Sequence, residues 1–93
     1  MYSVFLVEDE IVIRDGLKAS FPWEQYGFAY VGDAADGEMA LPLIRQTKPD
    51  VLITDIRMPF MDGISLSKMI KKELPNTRII IISGFDDFSY AQE

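Results

Sequence analysis

Short apolar runs and longer amphipathic segments alternate along this chain. The apolar runs predict strands, because each is too short for a helix and is bounded by polar or turn residues. The predicted strands are residues 2–7, 28–32, 51–54 and 78–82. Short, mainly apolar strands that alternate with helices indicate a parallel sheet that is covered on both faces.

Apolar residues recur every three or four positions in the segments between these strands, which predicts three helices. Ile13, Leu17 and Phe21 mark the first helix, over residues 11–21. Asp36 is a candidate cap for the second, in which Pro42 predicts a kink or a late start, because an interior proline removes a backbone hydrogen bond. The third helix follows Gly63, and residues after 84 begin a fourth.

The third helix has an apolar stripe at its predicted inner face. The stripe consists of Leu66, Met69, Ile70 and Leu74. Pro75 and Asn76 end this pattern.

The size and charge of the chain restrict its function. Ninety-three residues, 48% of them hydrophobic, predict one domain over residues 1–93. A net charge of -6 argues against direct binding of nucleic acid, because such binding neutralises phosphates with Lys and Arg. Cys and His are absent, which excludes disulfides and thiolate chemistry. No apolar run suits a signal peptide or a membrane span, so we expect a cytoplasmic protein.

Acidic residues follow two of the predicted strands. Glu8 and Asp9 follow the first, and Asp55 follows the third. In the strand order 2-1-3-4 these two strand ends are neighbours at the point where the order reverses, and ligands of open α/β sheets bind there. Crowded carboxylates require a proton or a cation, and Mg²⁺ is the natural cation for oxygen ligands. The alternative is that Glu8 and Asp9 only cap the first helix while Asp55 begins a turn.

The loop after the third strand carries the most specific motif. Residues 55–63 read Asp-Ile-Arg-Met-Pro-Phe-Met-Asp-Gly, which matches the pattern D-x-x-M-P-x-M-D-G. With Glu8 and Asp9 before it and Ser83 after the fourth strand, the chain resembles the receiver domain of two-component response regulators over essentially its whole length. This resemblance implies a flavodoxin-like three-layer sandwich with a parallel sheet.

The resemblance also implies a role for each matching residue. Asp55 would be the phosphoacceptor, and Ser83 would be the switch hydroxyl that bonds a phosphoryl oxygen. Glu8, Asp9, Asp55 and the backbone carbonyl of Arg57 would hold Mg²⁺. A chain with these roles is a signalling module and not an enzyme.

Partners follow from the same resemblance. A sensor histidine kinase would supply the phosphoryl group. Residues 23–28 and 83–91 resemble receivers whose complete proteins carry an AraC-type helix-turn-helix domain, which implies a transcription regulator with its own C-terminal DNA-binding output domain.

The chain departs from a complete receiver at its end. Such a receiver has a fifth strand and a fifth helix, and that strand ends with a lysine that pairs with the phosphoryl group; neither element is in this sequence. None of the five lysines follows a predicted strand. We also expect residues 78–82 to be an edge strand that either pairs with a second chain, as a homodimer or by edge association, or leaves the chain unstable.

Two other functions remain open at this point. A haloacid-dehalogenase-type phosphatase also uses Asp and Mg²⁺, but its D-x-D motif is replaced here by Glu8-Asp9-Glu10. A degenerate receiver that serves only as a protein-docking module also fits the sequence. Nucleotide binding is disfavoured, because neither G-x-G-x-x-G nor G-x-x-x-x-G-K-[ST] occurs.

Overall fold

The computed structural model of the chain describes residues 1–58 and 60–82. The strands are β1 (Tyr2–Val7), β2 (Phe28–Ala34), β3 (Val51–Asp55) and β4 (Arg78–Ile82). The helices are α1 (Ile11–Ser20), α2 (Gly37–Thr47) and α3 (Gly63–Glu73), with a short 3-10 helix at Glu24–Tyr26. All strand pairs are parallel, in the order β2-β1-β3-β4. The predicted α/β fold and strand order are therefore confirmed.

The core lies on the face of the sheet that α2 and α3 cover. Phe5 pairs with Leu52 and Val7 with Thr54, so these side chains share one face of adjacent strands. The buried apolar residues of this cluster are Phe5, Val7, Ala34, Ala40, Leu41, Ile44, Leu52, Leu66 and Ile70. Met69 and Leu74 of the predicted α3 stripe pack against it, half-buried. Close packing here fixes the positions of the β1 and β3 ends.

The opposite face of the sheet is covered less completely. Val4 and Leu6 are buried there, but Ile80 and Ile82 are 51% and 43% exposed. Helix α1 forms as predicted, yet none of its residues is buried. The predicted pairing of β4 with a second chain stays a prediction.

Helix α2 begins immediately after its cap. The Asp36 carboxylate accepts a hydrogen bond from the backbone N–H of Met39 at 2.8 Å, which confirms the predicted cap. Of the kink or late start expected from Pro42, the late start is wrong, because the helix begins at Gly37 and continues through Pro42. The kink stays a prediction. Pro42 and Glu38, the residue four positions before it, are both exposed, so water can hydrate the carbonyl that Pro42 leaves unbonded.

We expect Asp36→Ala to lower the free energy of unfolding by about 1 kcal/mol, because the first turn of α2 loses its acceptor. Urea unfolding followed by circular dichroism measures the change. Asp36→Ser is the matched control, because serine keeps an oxygen that can accept the same hydrogen bond. Equal losses in the two variants would show that the cap is not the cause.

Aromatic side chains connect the end of α1 to β2. The ring centroid of Trp23 lies 4.5 Å from that of Phe21 and 5.5 Å from that of Tyr30. The indole N–H of Trp23 also donates a hydrogen bond to the carbonyl oxygen of Leu17 at 3.1 Å. Trp23 therefore contacts both elements.

No helix in the described part of the chain has the length and apolarity needed to cross a bilayer.

Candidate functional site

Three carboxylates converge at the carboxyl ends of two adjacent strands. Glu8 and Asp9 directly follow β1, and Asp55 is the last residue of β3. The strands pair through Val7 and Thr54, so the residues that follow these two lie side by side. One carboxylate oxygen from each of Glu8, Asp9 and Asp55 lies within 4.8 Å of the others. This convergence argues against the alternative in which Glu8 and Asp9 only cap the first helix while Asp55 begins a turn.

Glu8 is the most deeply buried acid of this cluster. Only 5% of the Glu8 residue is exposed to solvent. The pKa of the Glu8 carboxyl is raised from its ordinary value of 4.5 to about 7. Burial is the largest cause, the charges of Asp55 and Asp9 and a side-chain hydrogen bond with Asp9 act in the same direction, and a hydrogen bond from the backbone of Glu10 opposes them. A cation at this position would favour the ionised form, because opposite charge lowers a carboxyl pKa.

Asp55 is held at the strand end by its own loop. The carboxylate of Asp55 accepts a hydrogen bond from the backbone N–H of Ile56 at 2.8 Å. The backbone N–H of Gly63 then donates to the carbonyl oxygen of Ile56 at 2.7 Å, so the loop returns to the strand. Between them, Phe60 adopts a left-handed φ of 71°. Gly63 thus returns to the end of β3, where the Asp55 side chain is half-buried.

Gly63 allows this close return. A Cβ at position 63 would meet the backbone oxygen of Asp55, and would lie 2.9 Å from the Asp55 carbonyl carbon and 3.1 Å from the Ile56 Cα. All three contacts are with backbone, which cannot rotate away as a side chain can. The glycine of the sequence motif is therefore required by the close approach of α3 to β3.

The loop that carries Glu8 and Asp9 is held through its backbone. The N–H of Glu8 donates to the carbonyl oxygen of Ala34 at 3.1 Å, and Arg14 donates to the carbonyl oxygen of Glu8 at 2.8 Å. Glu10 occupies the N-cap position of α1 and makes no side-chain cap bond. The suggestion that Asp9 caps α1 is therefore wrong.

The predicted roles of two further site residues, Ser83 and Arg57, remain predictions. Ser83 lies outside the described residues, so its switch role stays a prediction. Arg57 lies in the exposed loop after Asp55, and the use of its backbone carbonyl as a ligand is likewise still a prediction.

Comparison with known proteins decides the family. Residues 4–93 match the family model described as "Response regulator receiver domain". The chain belongs to this family. The resemblance seen in the sequence is confirmed, and the family is one of signalling domains and not of catalysts.

Relatives of this receiver domain are response regulators. An uncharacterized response regulatory protein of Staphylococcus epidermidis is 49% identical over 90 residues, which are 97% of this chain and 35% of that protein. The solved receiver domain of AraT, a response regulator from Geobacillus stearothermophilus, is 43% identical with a TM-score of 0.92, covering 98% of this chain and 70% of that one.

A two-component transcriptional regulator AraC from Clostridium phytofermentans is also similar in structure. It is 38% identical with a TM-score of 0.89, and the match covers 100% of this receiver domain and 75% of that chain. The chain spans about a quarter to a third of the length of the curated relatives that it matches.

Proposed function

We propose that this receiver domain accepts a phosphoryl group on Asp55 from a sensor histidine kinase, with Mg²⁺ as its cofactor. The observation that carries the proposal is the convergence of Glu8, Asp9 and Asp55 within 4.8 Å at the strand ends. Asp55 is the natural acceptor, because it is half-buried and lies within the specific D-x-x-M-P-x-M-D-G motif. Glu8 is too deeply buried for this role.

The donor set fits a hard divalent cation. Glu8, Asp9 and Asp55 offer carboxylate oxygens, and the backbone carbonyl of Arg57 would add a neutral one. Cys and His, which favour zinc and other softer metals, do not occur in the chain. When bound, Mg²⁺ supplies positive charge that offsets the repulsion between these acids and an incoming phosphoryl group.

The residues of the chain provide the nucleophile and its orientation. A carboxylate oxygen of Asp55 would attack phosphorus, forming an acyl phosphate while the bond from phosphorus to the donor's histidine nitrogen breaks. The N–H of Ile56 holds one oxygen of Asp55 at 2.8 Å and so orients the carboxylate. Ser83 would then bond a phosphoryl oxygen and transmit the change.

The complete protein is proposed to regulate transcription in the cytoplasm. Support comes from the transcriptional regulator AraC of Clostridium phytofermentans, which shares this domain. The net charge of -6 fits a domain that controls a separate DNA-binding domain and does not itself bind DNA.

Phosphorylation with a small donor tests the proposal. Incubation with Mg²⁺ and acetyl phosphate is expected to add one alkali-labile phosphoryl group, measured by intact-protein mass spectrometry. Asp55→Asn should abolish the adduct, because an amide is not a nucleophile of this kind. Asp62→Asn is the matched control: it removes an acid of the same loop, one that caps α3 through the backbone N–H of Ser65.

Three results would contradict the proposal. An adduct that persists in Asp55→Asn would place the acceptor elsewhere. A folded chain that binds Mg²⁺ and forms no adduct would favour a docking module. Steady hydrolysis of small phosphate esters would favour a phosphatase.

A further inference from the structure

Arg14 connects the loop that carries Glu8 and Asp9 to the neighbouring strand β2. Its Nη1 donates to the carbonyl oxygen of Glu8 at 2.8 Å, and its Nε lies 3.9 Å from a carboxylate oxygen of Asp33. The Arg14 side chain is only 15% exposed. A guanidinium fixed at this depth restrains the backbone that it contacts, since its donors lie in a rigid plane.

Asp33 is in turn held in place. The Tyr30 hydroxyl donates to one carboxylate oxygen of Asp33 at 2.9 Å, and the Lys18 ammonium lies 4.0 Å from the same oxygen. Burial of Tyr30 and its hydrogen bond to Asp33 both raise the pKa of the Tyr30 hydroxyl, so it remains a donor. The Asp33 carboxylate that faces the Nε of Arg14 is therefore itself held in place.

The position of Arg14 within α1 does not by itself favour an arginine. Arg14 is the fourth residue of a helix that begins at Ile11 and has no acidic residue in its first turn. Positive charge near a helix N-terminus is slightly unfavourable, because the peptide dipoles make that end positive. The contacts with Glu8 and Asp33 supply the reason for a cation there.

We propose that Arg14 is a positioning residue for the metal site, acting through the backbone of Glu8. The inference depends on the proposed Mg²⁺ function. The N–H of Glu8 is held by Ala34 and its carbonyl by Arg14, so both sides of this peptide segment are fixed against β2 and α1. Substitution of groups that orient metal ligands commonly weakens metal binding by about 10- to 100-fold.

The direction in which Mg²⁺ affinity changes in Arg14→Met distinguishes a positioning role from a purely electrostatic effect. Removing a cation near three acids should, by charge alone, strengthen the binding of Mg²⁺. We expect the opposite for Arg14→Met: the dissociation constant for Mg²⁺, measured by titration calorimetry with MgCl₂ on the intact chain, rises about tenfold. Binding of Ca²⁺ should weaken less, because Ca²⁺ tolerates irregular geometry that Mg²⁺ does not.

Lys18→Met is the matched control. Lys18 lies one turn further along α1 and also faces Asp33, but its side chain is 60% exposed. We expect its Mg²⁺ affinity to remain within about twofold of the unaltered chain, since exposed ion pairs contribute little. Arg14→Lys keeps the charge and most of the packing, so it provides a folded variant with an intermediate loss if Arg14→Met does not fold.

The outcomes distinguish this inference from the proposed function. If the unaltered chain binds no Mg²⁺, the proposed metal site itself fails. If it binds Mg²⁺ and the folded Arg14 variants bind as tightly as Lys18→Met, only the positioning role is overturned. Equal weakening for Mg²⁺ and Ca²⁺ would also overturn it, since general loss of structure would affect both ions alike.

Discussion

Gly63→Ala is expected to lower the free energy of unfolding by about 3 kcal/mol, a large loss for a single methyl group. The new Cβ would press on the backbone of Asp55 and Ile56, at 2.9 Å from a carbonyl carbon and 3.1 Å from a Cα. Relief requires α3 to move away from β3, which also breaks the 2.7 Å hydrogen bond from Gly63 to Ile56. Urea unfolding followed by far-UV circular dichroism measures the loss.

Gly16→Ala is the control for this substitution. Gly16 lies within α1, and a Cβ there would meet nothing within 4 Å. Alanine at that position should raise the free energy of unfolding by about 0.5 to 1 kcal/mol, because glycine disfavours helix. The changes in the free energy of unfolding at positions 16 and 63 are therefore expected to have opposite signs. A Gly63→Ala protein as stable as the unaltered chain would show that the close approach of α3 to β3 is not rigid.

The second large effect concerns the pH dependence of stability and its origin in Glu8. The pKa of Glu8 is about 7 in the folded chain and 4.5 is its ordinary value. Between these pH values the folded chain keeps a proton that the unfolded chain has released. Glu8 therefore stabilises the fold fully below pH 4.5 and loses that contribution as the pH rises through about 7. The loss is about 3 kcal/mol in metal-free buffer.

Glu8→Gln should remove most of this pH dependence, because glutamine resembles the protonated acid at every pH. At pH 8 without Mg²⁺ the variant is expected to be more stable than the unaltered chain by up to about 3 kcal/mol. Urea unfolding at pH 5 and pH 8, in buffer with EDTA, gives the comparison.

Glu10→Gln is the matched control, since Glu10 lies in the same loop but is exposed and outside the three-acid cluster. It should keep the pH dependence of the unaltered chain. Saturating Mg²⁺ should reduce the fall in stability of the unaltered chain, because a carboxyl group must lose its proton to bind a metal ion. It should stabilise Glu8→Gln less, because that variant has two of the three carboxylates. A Glu8→Gln protein with an undiminished pH dependence would place the perturbed acid elsewhere.

The strands could be predicted closely where an apolar run ends at polar residues. Both β1 and β4 have the predicted limits. Strand β2 continues to Ala34, beyond the predicted end at Gly32. Gly32 looks like a turn residue in isolation, but in the sheet it pairs with Phe5, whose ring occupies the space that a Cβ at position 32 would need. That contact joins distant parts of the chain, so no local pattern reveals it.

The candidate site shows the same division between local pattern and tertiary packing. The meeting of Glu8, Asp9 and Asp55 follows from the strand order 2-1-3-4. The alternation of elements predicts a parallel sheet but not this order, which the resemblance to receiver domains implies. The burial of Glu8 and its raised pKa depend on packing around one side chain, which the sequence does not display. The role of Arg14 was also not predicted from the sequence. Its position could have suggested one, because a cation in the first turn of a helix that has no acidic residue there is unfavourable without a specific partner.

The aromatic contact between α1 and β2 has a practical consequence. Trp23 is the only tryptophan of the chain, and its indole bridges Leu17 and Tyr30. Its emission spectrum should therefore report whether the first helix is docked, because detachment would expose the ring to water and shift the emission to longer wavelength. Every variant of Arg14 and Lys18 thus contains an internal optical probe of the helix that carries the substitution, with no added dye.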